Sequence, residues 1–349
     1  MPVVSRAGVR KVWLPAIRAG TGSDVFVERL ALALENRGIE STISWFRHWY
    51  ELFPDLLRFA KAPSGTEIIH ANSAQAFAFK RKGIPLVATE LHYILDPNYR
   101  CFKSSLQHVY HRFVIGKYLD RSYRKADAVT AISAFTAEVL AAVPKVEVTR
   151  TIPLWVDLQA FVPAERARDR KPDELFRMFF VGNASRRKGA YVLPQLAEEL
   201  GSGFEIICTA GLRQQMRKHR PNNVRILGRL SEAELVKQYQ DCDAVLVPSR
   251  YEGFGYSALE AMACAKPVVG FHCGAIDELV VDGSTALLAD IDDIEGLAQH
   301  CRHLAADPTL CRRLGEAGRL RAEQTYSEDS AIAAFLEVYE SLLGCNSIE

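Results

Sequence analysis

Twelve short apolar runs, most of them followed by a stretch of helical character, recur along this chain, and that rhythm constrains the fold more than any other feature. A strand, a helix and a further strand close most readily as a crossover between parallel neighbours, which leaves helices on both faces of a sheet. The first six runs are "KVWLP", "STISWF", "EIIHA", "PLVATEL", "AVTAIS" and "VTRTIP". A polar, proline-containing stretch at 162–175, "VPAERARDRKPDEL", follows them and reads as a linker. The rhythm then restarts with "FRMFFVG", "FEIICTA", "VRILG", "AVLVPS", "PVVGF" and "TALLA". Between the runs lie helical patterns such as "DVFVERLALALENRG", with Gly38 at its end, "AYVLPQLAEELG" and "SEAELVKQYQDC"; "DSAIAAFLEVYESLLG" closes the chain. A length of 349 residues is enough for two such bodies, each with its own core. The expectation is an α/β protein of two doubly wound, Rossmann-like parallel-sheet domains facing a cleft.

Composition narrows the classes of function. With 48% hydrophobic residues, 24% charged residues and a net charge of +1, the chain reads as soluble and globular, and nothing points to nucleic acid. The near-neutral total hides an asymmetry. Residues 1–157 carry 21 Lys and Arg against 14 Asp and Glu, and the remainder carries 22 against 28. The eight cysteines form no C-x-x-C pair and lie mostly in apolar or helical contexts, which suggests reduced thiols and a cytoplasmic setting. The opening residues hold no signal-peptide core, and no stretch approaches the roughly eighteen apolar residues of a transmembrane helix, so secretion by that route is not expected.

The chemistry concentrates in "SRYEGFGYSALEAMACAKPVV", residues 249–269. The preceding "DAVLVPS" reads as a strand, "RYEGFG" as a turn and "YSALEAMACAK" as a helix. The loop therefore leaves the carboxyl end of a parallel strand, where open α/β sheets hold ligands. Gly253 and Gly255 let backbone N–H groups approach a ligand, and the helix N-terminus favours an anion. Glu252 in the loop and Glu260 about two helical turns on are poor partners for that anion and good acceptors for hydroxyls. A ligand with hydroxyls at both ends and phosphate between them is a nucleotide sugar.

Two E-x7-E glutamates alone would be a weak signal, but the flanking motifs extend it. "FVGNASRRKGAYVL", with Gly182, Lys188 and Gly189, adds a cationic loop, and "GAIDELVVDGSTALL" follows the helix. In the first half stand "GTGSDVFVERLALALENRG", "VATELH", "ADAVTAIS" and "IPLWVDLQAF". With these motifs the chain resembles the retaining glycosyltransferases of the GT-B fold, family 4, over most of its length.

The resemblance implies an acceptor-side domain at 1–157, onto which a C-terminal helix within 327–349 crosses back, and a donor-binding domain at 158–326. It implies a nucleotide diphosphate sugar donor of UDP or GDP type, a glycan or lipid-linked acceptor, and a place in bacterial cell-surface glycan or glycolipid synthesis. Glu252 would bind hydroxyls of the transferred sugar and Glu260 those of the ribose. Lys188, with Arg187, would neutralise the leaving diphosphate beside Gly182, Gly253 and the N–H groups of Phe254 and Gly255. His92 would lie by the anomeric centre, Gly22 would admit the donor phosphate, Arg229 and Leu230 would meet the base, and "ADAVTAIS" would be the strand leading to an exposed serine, Ser133. Two positions depart from the family pattern: Asn183 stands where an Arg is usual, so that Arg186 or Arg187 must compensate, and Leu154 and Trp155 replace the Asn and Gly of the domain junction.

Other readings weigh less. "GTGSDV" lacks the third small residue of a dinucleotide fingerprint, because Val25 occupies it, and no acidic residue ends the next strand. "DCD" at 241–243 precedes a strand and "DID" at 290–292 reads as a helix N-cap, so both are structural and no essential metal is expected. A nucleotide-sugar epimerase and a degenerate nucleotide-binding partner subunit are the alternative functions. Residues 98–125 carry Arg100, Lys103, Arg112, Lys117, Arg121, Arg124 and Lys125 against Asp120 alone, interleaved with Tyr99, Phe102, Tyr110, Phe113, Tyr118 and Tyr123. Such a segment suits the anionic surface of the inner membrane face equally as well as a domain helix with core aromatics and solvated charges.

Overall fold

The computed structural model describes residues 8–165, 170–171, 174–183, 185–209 and 221–345. The chain divides into two compact units, Met1–Leu154 with Glu328–Glu349, and Trp155–Ser327. The stretch read as a linker includes 166–169 and 172–173, outside the described residues, and the division falls upstream of it, between the buried Leu154 and Trp155.

In the first unit, β1 (Lys11–Ile17), β2 (Glu40–Phe46), β3 (Ile68–Asn72), β4 (Leu86–Glu90), β5 (Ala128–Ala131) and β6 (Arg150–Thr151) form one sheet in the order β2-β1-β3-β4-β5-β6. Every pairing is parallel. Its helices are α1 (Gly22–Glu35), α2 (Ser105–Tyr110), α3 (Gly116–Lys125), joined to α2 by a π turn, and α4 (Ala134–Ala141). The run "VTRTIP" forms the sheet edge with Arg150 and Thr151 in register with β5 and the N–H groups of Thr149 and Ile152 donating to Val129 and Ala131, and it ends at Pro153, which has no N–H to donate. Helix α1 stops where its sequence says it should. Gly38 takes φ +77°, Gly38 N–H meets the Glu35 carbonyl at 2.9 Å, and Ile39 N–H meets the Leu34 carbonyl at 3.1 Å, a Schellman ending that only glycine adopts without strain.

In the second unit, β7 (Phe176–Phe180), β8 (Phe204–Cys208), β9 (Val224–Ile226), β10 (Ala244–Val247), β11 (Val268–Phe271) and β12 (Ala286–Ala289) form a sheet in the order β12-β11-β10-β7-β8-β9, again wholly parallel. Its helices are α5 (Leu193–Leu200), α6 (Glu232–Asp241), α7 (Tyr256–Ala263), α8 (Ile276–Leu279), α9 (Ile294–Ala306) and α10 (Pro308–Thr325). β10 and β11 are buried at every position, because helices cover both faces; Phe180, Leu246 and Phe271 pack with Leu196 of α5 and Leu297 of α9.

The last helix, α11 (Glu328–Cys345), belongs to the first unit. It buries Ile332, Phe335 and Tyr339, and Arg37 beyond α1 is held by Glu328 at 3.0 Å and by Asp329. The fold is thus two Rossmann-type doubly wound units, as the strand and helix rhythm anticipates.

Candidate functional site

Chain order decides where each sheet can hold a ligand. Strand order reverses between β7 and β10 in the second unit and between β1 and β3 in the first, and loops leaving the carboxyl ends at such a point part to opposite faces.

The second unit's switch point carries most of the expected residues. The loop after β7 runs through Gly182 to a 3-10 turn at Arg186–Lys188, capped by Ser185, which accepts the Lys188 N–H at 3.3 Å. Gly189 follows at φ +71°, and a Cβ there would lie 1.7 Å from the Pro248 carbonyl oxygen. No side chain fits. That close approach, and the Arg250 N–H on the Arg187 carbonyl at 2.8 Å, tie the cationic loop to the loop after β10. Gly255, at φ +107°, opens α7, and a Cβ there would meet Ile276 at 2.6 Å.

Within this frame Glu252 is 5% exposed. One of its oxygens takes Lys188 Nζ at 2.5 Å and Ser249 Oγ at 2.7 Å; the other takes Arg187 at 3.0 Å, whose guanidinium also reaches the Tyr251 carbonyl. Burial pushes the Glu252 carboxyl up, but the Lys188 ammonium and then the Arg187 guanidinium outweigh it and hold the group at about 2. Glu252 is therefore ionised at neutral pH, with two cations to one carboxylate. Glu260 is buried in α7, where it accepts from Tyr239 Oη at 2.9 Å. Phe254 and Gly253 are buried in the same turn. Arg229 is exposed and Leu230 half-buried in the loop after β9, three strands along the sheet from β10.

Of the two arginines that could stand in for an Arg at 183, Arg187 lies on Glu252, whereas Arg186 is exposed and its charge is felt by Tyr191. Asn183 serves as a turn residue, accepting the Ser185 N–H at 3.2 Å. The aspartates separate by role. Asp243 accepts the Arg177 N–H at 2.7 Å and Asp241 pairs with Lys237. The cap of α9 is Asp293, not the "DID" run; Asp292 instead joins Arg250 at 2.8 Å and Tyr191.

In the first unit, Gly22 is the first residue of α1, and a cavity of about 110 Å³ at the switch point is lined by Ala19, Ser23, Asp24, Asn72, Gln75 and Glu51 among others. Asp24 turns back onto the N–H groups of Ala19 and Gly20 and so shapes the "AGTGS" loop. His92, half-buried just past β4, stacks edge-on against Tyr99 at 4.5 Å. The serine after β5 is not exposed: Ser133 is buried and caps α4 through the Thr136 N–H. Residues 98–125 split in two. Tyr123 is buried and Tyr118 stacks on Phe77, but Leu106, Val109 and Phe113 point to solvent.

Sequence reading did not single out Ser249, Tyr239 or Asp24. Ser249 opens the quoted stretch itself, whereas the tie between Tyr239 and Glu260 spans two helices and leaves no local trace.

Two Rossmann-type units, one with a cationic loop and an acidic glycine-rich loop joined at its switch point, define a GT-B protein. The chain belongs to the family 4 glycosyltransferases: the family model "Glycosyl transferases group 1" matches residues 161–321 and that of "Glycosyltransferase Family 4" matches 42–160. An uncharacterized glycosyltransferase of Methanocaldococcus jannaschii is 31% identical over 167 residues, 47% of each chain. The matched segments span about half the length of such curated relatives. Sucrose-phosphate synthase from Thermosynechococcus elongatus superposes with a TM-score of 0.82 at 22% identity, covering 96% of this chain and 100% of that one. HepE of Anabaena, in complex with UDP-glucose, superposes with 0.74 at 20% identity, covering 95% and 99%.

Proposed function

We propose that the chain moves a sugar from a nucleotide diphosphate sugar to a hydroxyl acceptor with retention at the anomeric carbon. The observation that carries this reading is the meeting of Lys188, Arg187 and Glu252 at the switch point between β7 and β10. When the donor binds, Lys188 and Arg187 exchange Glu252 for the diphosphate and stabilise the charge that develops as it leaves. Glu252 then turns to hydroxyls of the transferred sugar, and Glu260 to those of the ribose. Amides of the Gly253–Gly255 turn and Gly182 face the phosphates; Arg229 and Leu230 meet the base. His92 and Gly22 serve the anomeric centre and donor phosphate from the acceptor-side unit. The leaving diphosphate itself takes the acceptor proton, so no covalent nucleophile is needed. The bound UDP-glucose of HepE favours a UDP-type donor. Fixed cations do the work a metal would do, and the reaction is metal-independent.

The acceptor is lipid-linked and reached at an anionic membrane surface. Exposed Leu106, Val109 and Phe113 support this, flanked by Arg112 and Lys117, as do exposed Trp49, Phe53, Leu56 and Phe59 of the segment after β2. The two segments are neighbours, since Arg121 of α3 clasps Asp55 at 2.6 and 2.9 Å.

Calorimetry with UDP and GDP, followed by turnover of UDP- and GDP-sugars with and without chelator, tests the reading. Binding with acceptor-dependent transfer is expected. Release of free nucleotide without acceptor would favour the epimerase, binding without any turnover the partner subunit, and loss of activity in chelator would overturn metal independence.

A further inference from the structure

The last residue of β4, Glu90, is fully buried, and no part of the donor chemistry calls on it. Its partners are neutral. One carboxyl oxygen accepts from Ser73 Oγ, just past β3, at 2.5 Å and from Tyr123 Oη of α3 at 2.6 Å; the other accepts the backbone N–H of His92 at 3.0 Å. Burial raises its pKa, and those hydrogen bonds only partly offset that. Packing alone asks for something else here. A strand residue between a parallel sheet and its covering helix is ordinarily apolar, and burying a carboxyl without a cation costs several kcal/mol unless its oxygens are satisfied.

We infer that Glu90 is a positioning residue for His92. Ser73 and Tyr123 fix one oxygen from two other elements, and the second oxygen then draws the His92 amide back toward the strand end. That contact sets where the chain leaves the sheet and where the His92 ring, braced by Tyr99, emerges at the carboxyl edge. The inference rests on the reading above in which His92 serves the anomeric centre.

Its test uses the full chain and whichever of UDP-glucose, UDP-N-acetylglucosamine and GDP-mannose turns over fastest. Glu90→Leu should lower kcat at least about tenfold while the Kd for nucleotide diphosphate, measured by calorimetry, stays within about twofold, because the side chains proposed to hold the nucleotide, Lys188, Arg187 and Glu260, lie in the other unit. Glu90→Gln keeps an oxygen for the His92 amide and should recover most of the rate. The double variant with His92→Ala should be no slower than His92→Ala alone, as expected of residues that act as one unit. Amide exchange at 91–95, followed by mass spectrometry, should speed up in Glu90→Leu and return in Glu90→Gln. Should Glu90→Leu fail to fold, Tyr123→Phe, which removes one of the two hydroxyls that fix the shared oxygen, carries the same cycle. Strictly additive losses, or unchanged rate and exchange in Glu90→Leu, would overturn the inference alone. A His92→Ala enzyme of normal rate, or no turnover of any donor by the wild type, would remove the reading on which it stands.

Discussion

Glu252 is a structural anion to which the proposed function gives a second role, as a ligand of the transferred sugar. Its carboxyl joins two loops through Lys188 and Arg187, so its removal has two consequences of opposite sign. Glu252→Ala should lose at least about a hundredfold in kcat, because a sugar contact that strengthens with developing charge is gone. UDP should bind that variant at least as tightly as wild type, since both cations lose their internal partner; weaker binding in calorimetry would count against the exchange of partners. Lys188→Ala should weaken UDP by about 1.5–3 kcal/mol, the range for hydrogen bonds to charged groups.

His70 supplies a different residue-scale test. It is buried between Tyr339 Oη and Thr89 Oγ1, each at 2.6 Å, and burial lowers its pKa from 6.5 to about 3. The folded chain therefore refuses a proton that the unfolded chain accepts. Stability is complete above pH 6.5 and falls as pH drops from 6.5 toward 3. The Glu252 contribution, by contrast, fades only below about 4.5. Urea midpoints at pH 7.5 and 5 should thus fall for wild type and change less for His70→Gln, which starts lower. Equal slopes would place the titration elsewhere.

At the scale of elements, the two loops at the second switch point are held by backbone proximity that no side chain could permit. Gly189→Ala combines a left-handed φ with a Cβ inside the Pro248 carbonyl, and should cost more than about 2 kcal/mol in urea unfolding. The helical segment 105–125 makes the opposite case. Its second half is anchored by Leu119 and Tyr123, whereas Leu106 and Phe113 of the first half are largely exposed. Leu106→Ser with Phe113→Ser should leave stability within about 0.5 kcal/mol, as for surface changes generally, and should reduce co-sedimentation with anionic vesicles at low salt. Undiminished sedimentation would remove this segment from the membrane reading.

For the molecule as a whole, chain continuity separates the two units. Trp155–Ser327 is one uninterrupted segment with its own sheet and core, whereas the first unit is completed only by α11. A chain ending at Ser327 would expose Phe26 and His70, which α11 covers with Phe335 and Tyr339. Two thermal transitions of the intact chain should become one in that truncation, with UDP binding retained; loss of UDP binding would mean that the second unit depends on the first.

What the sequence determined by itself was local in origin. Twelve apolar runs located the twelve strands of the described residues; most are buried and so apolar at nearly every position, whereas β2 and β6, at the two edges of the first sheet, have no buried residue, and Gly38 and Gly255 marked bends of positive φ that few other residues adopt. What only the tertiary structure decided was pairing across distance. That Ser133 is buried, that Lys188 and Arg187 both rest on Glu252, and that Ser73 and Tyr123 hold Glu90 each depend on strand order and loop approach. Hydrogen bonds and ion pairs form wherever the backbone brings complementary groups within about 3 Å, and residues dozens of positions apart carry no mark of that meeting in their own neighbourhoods.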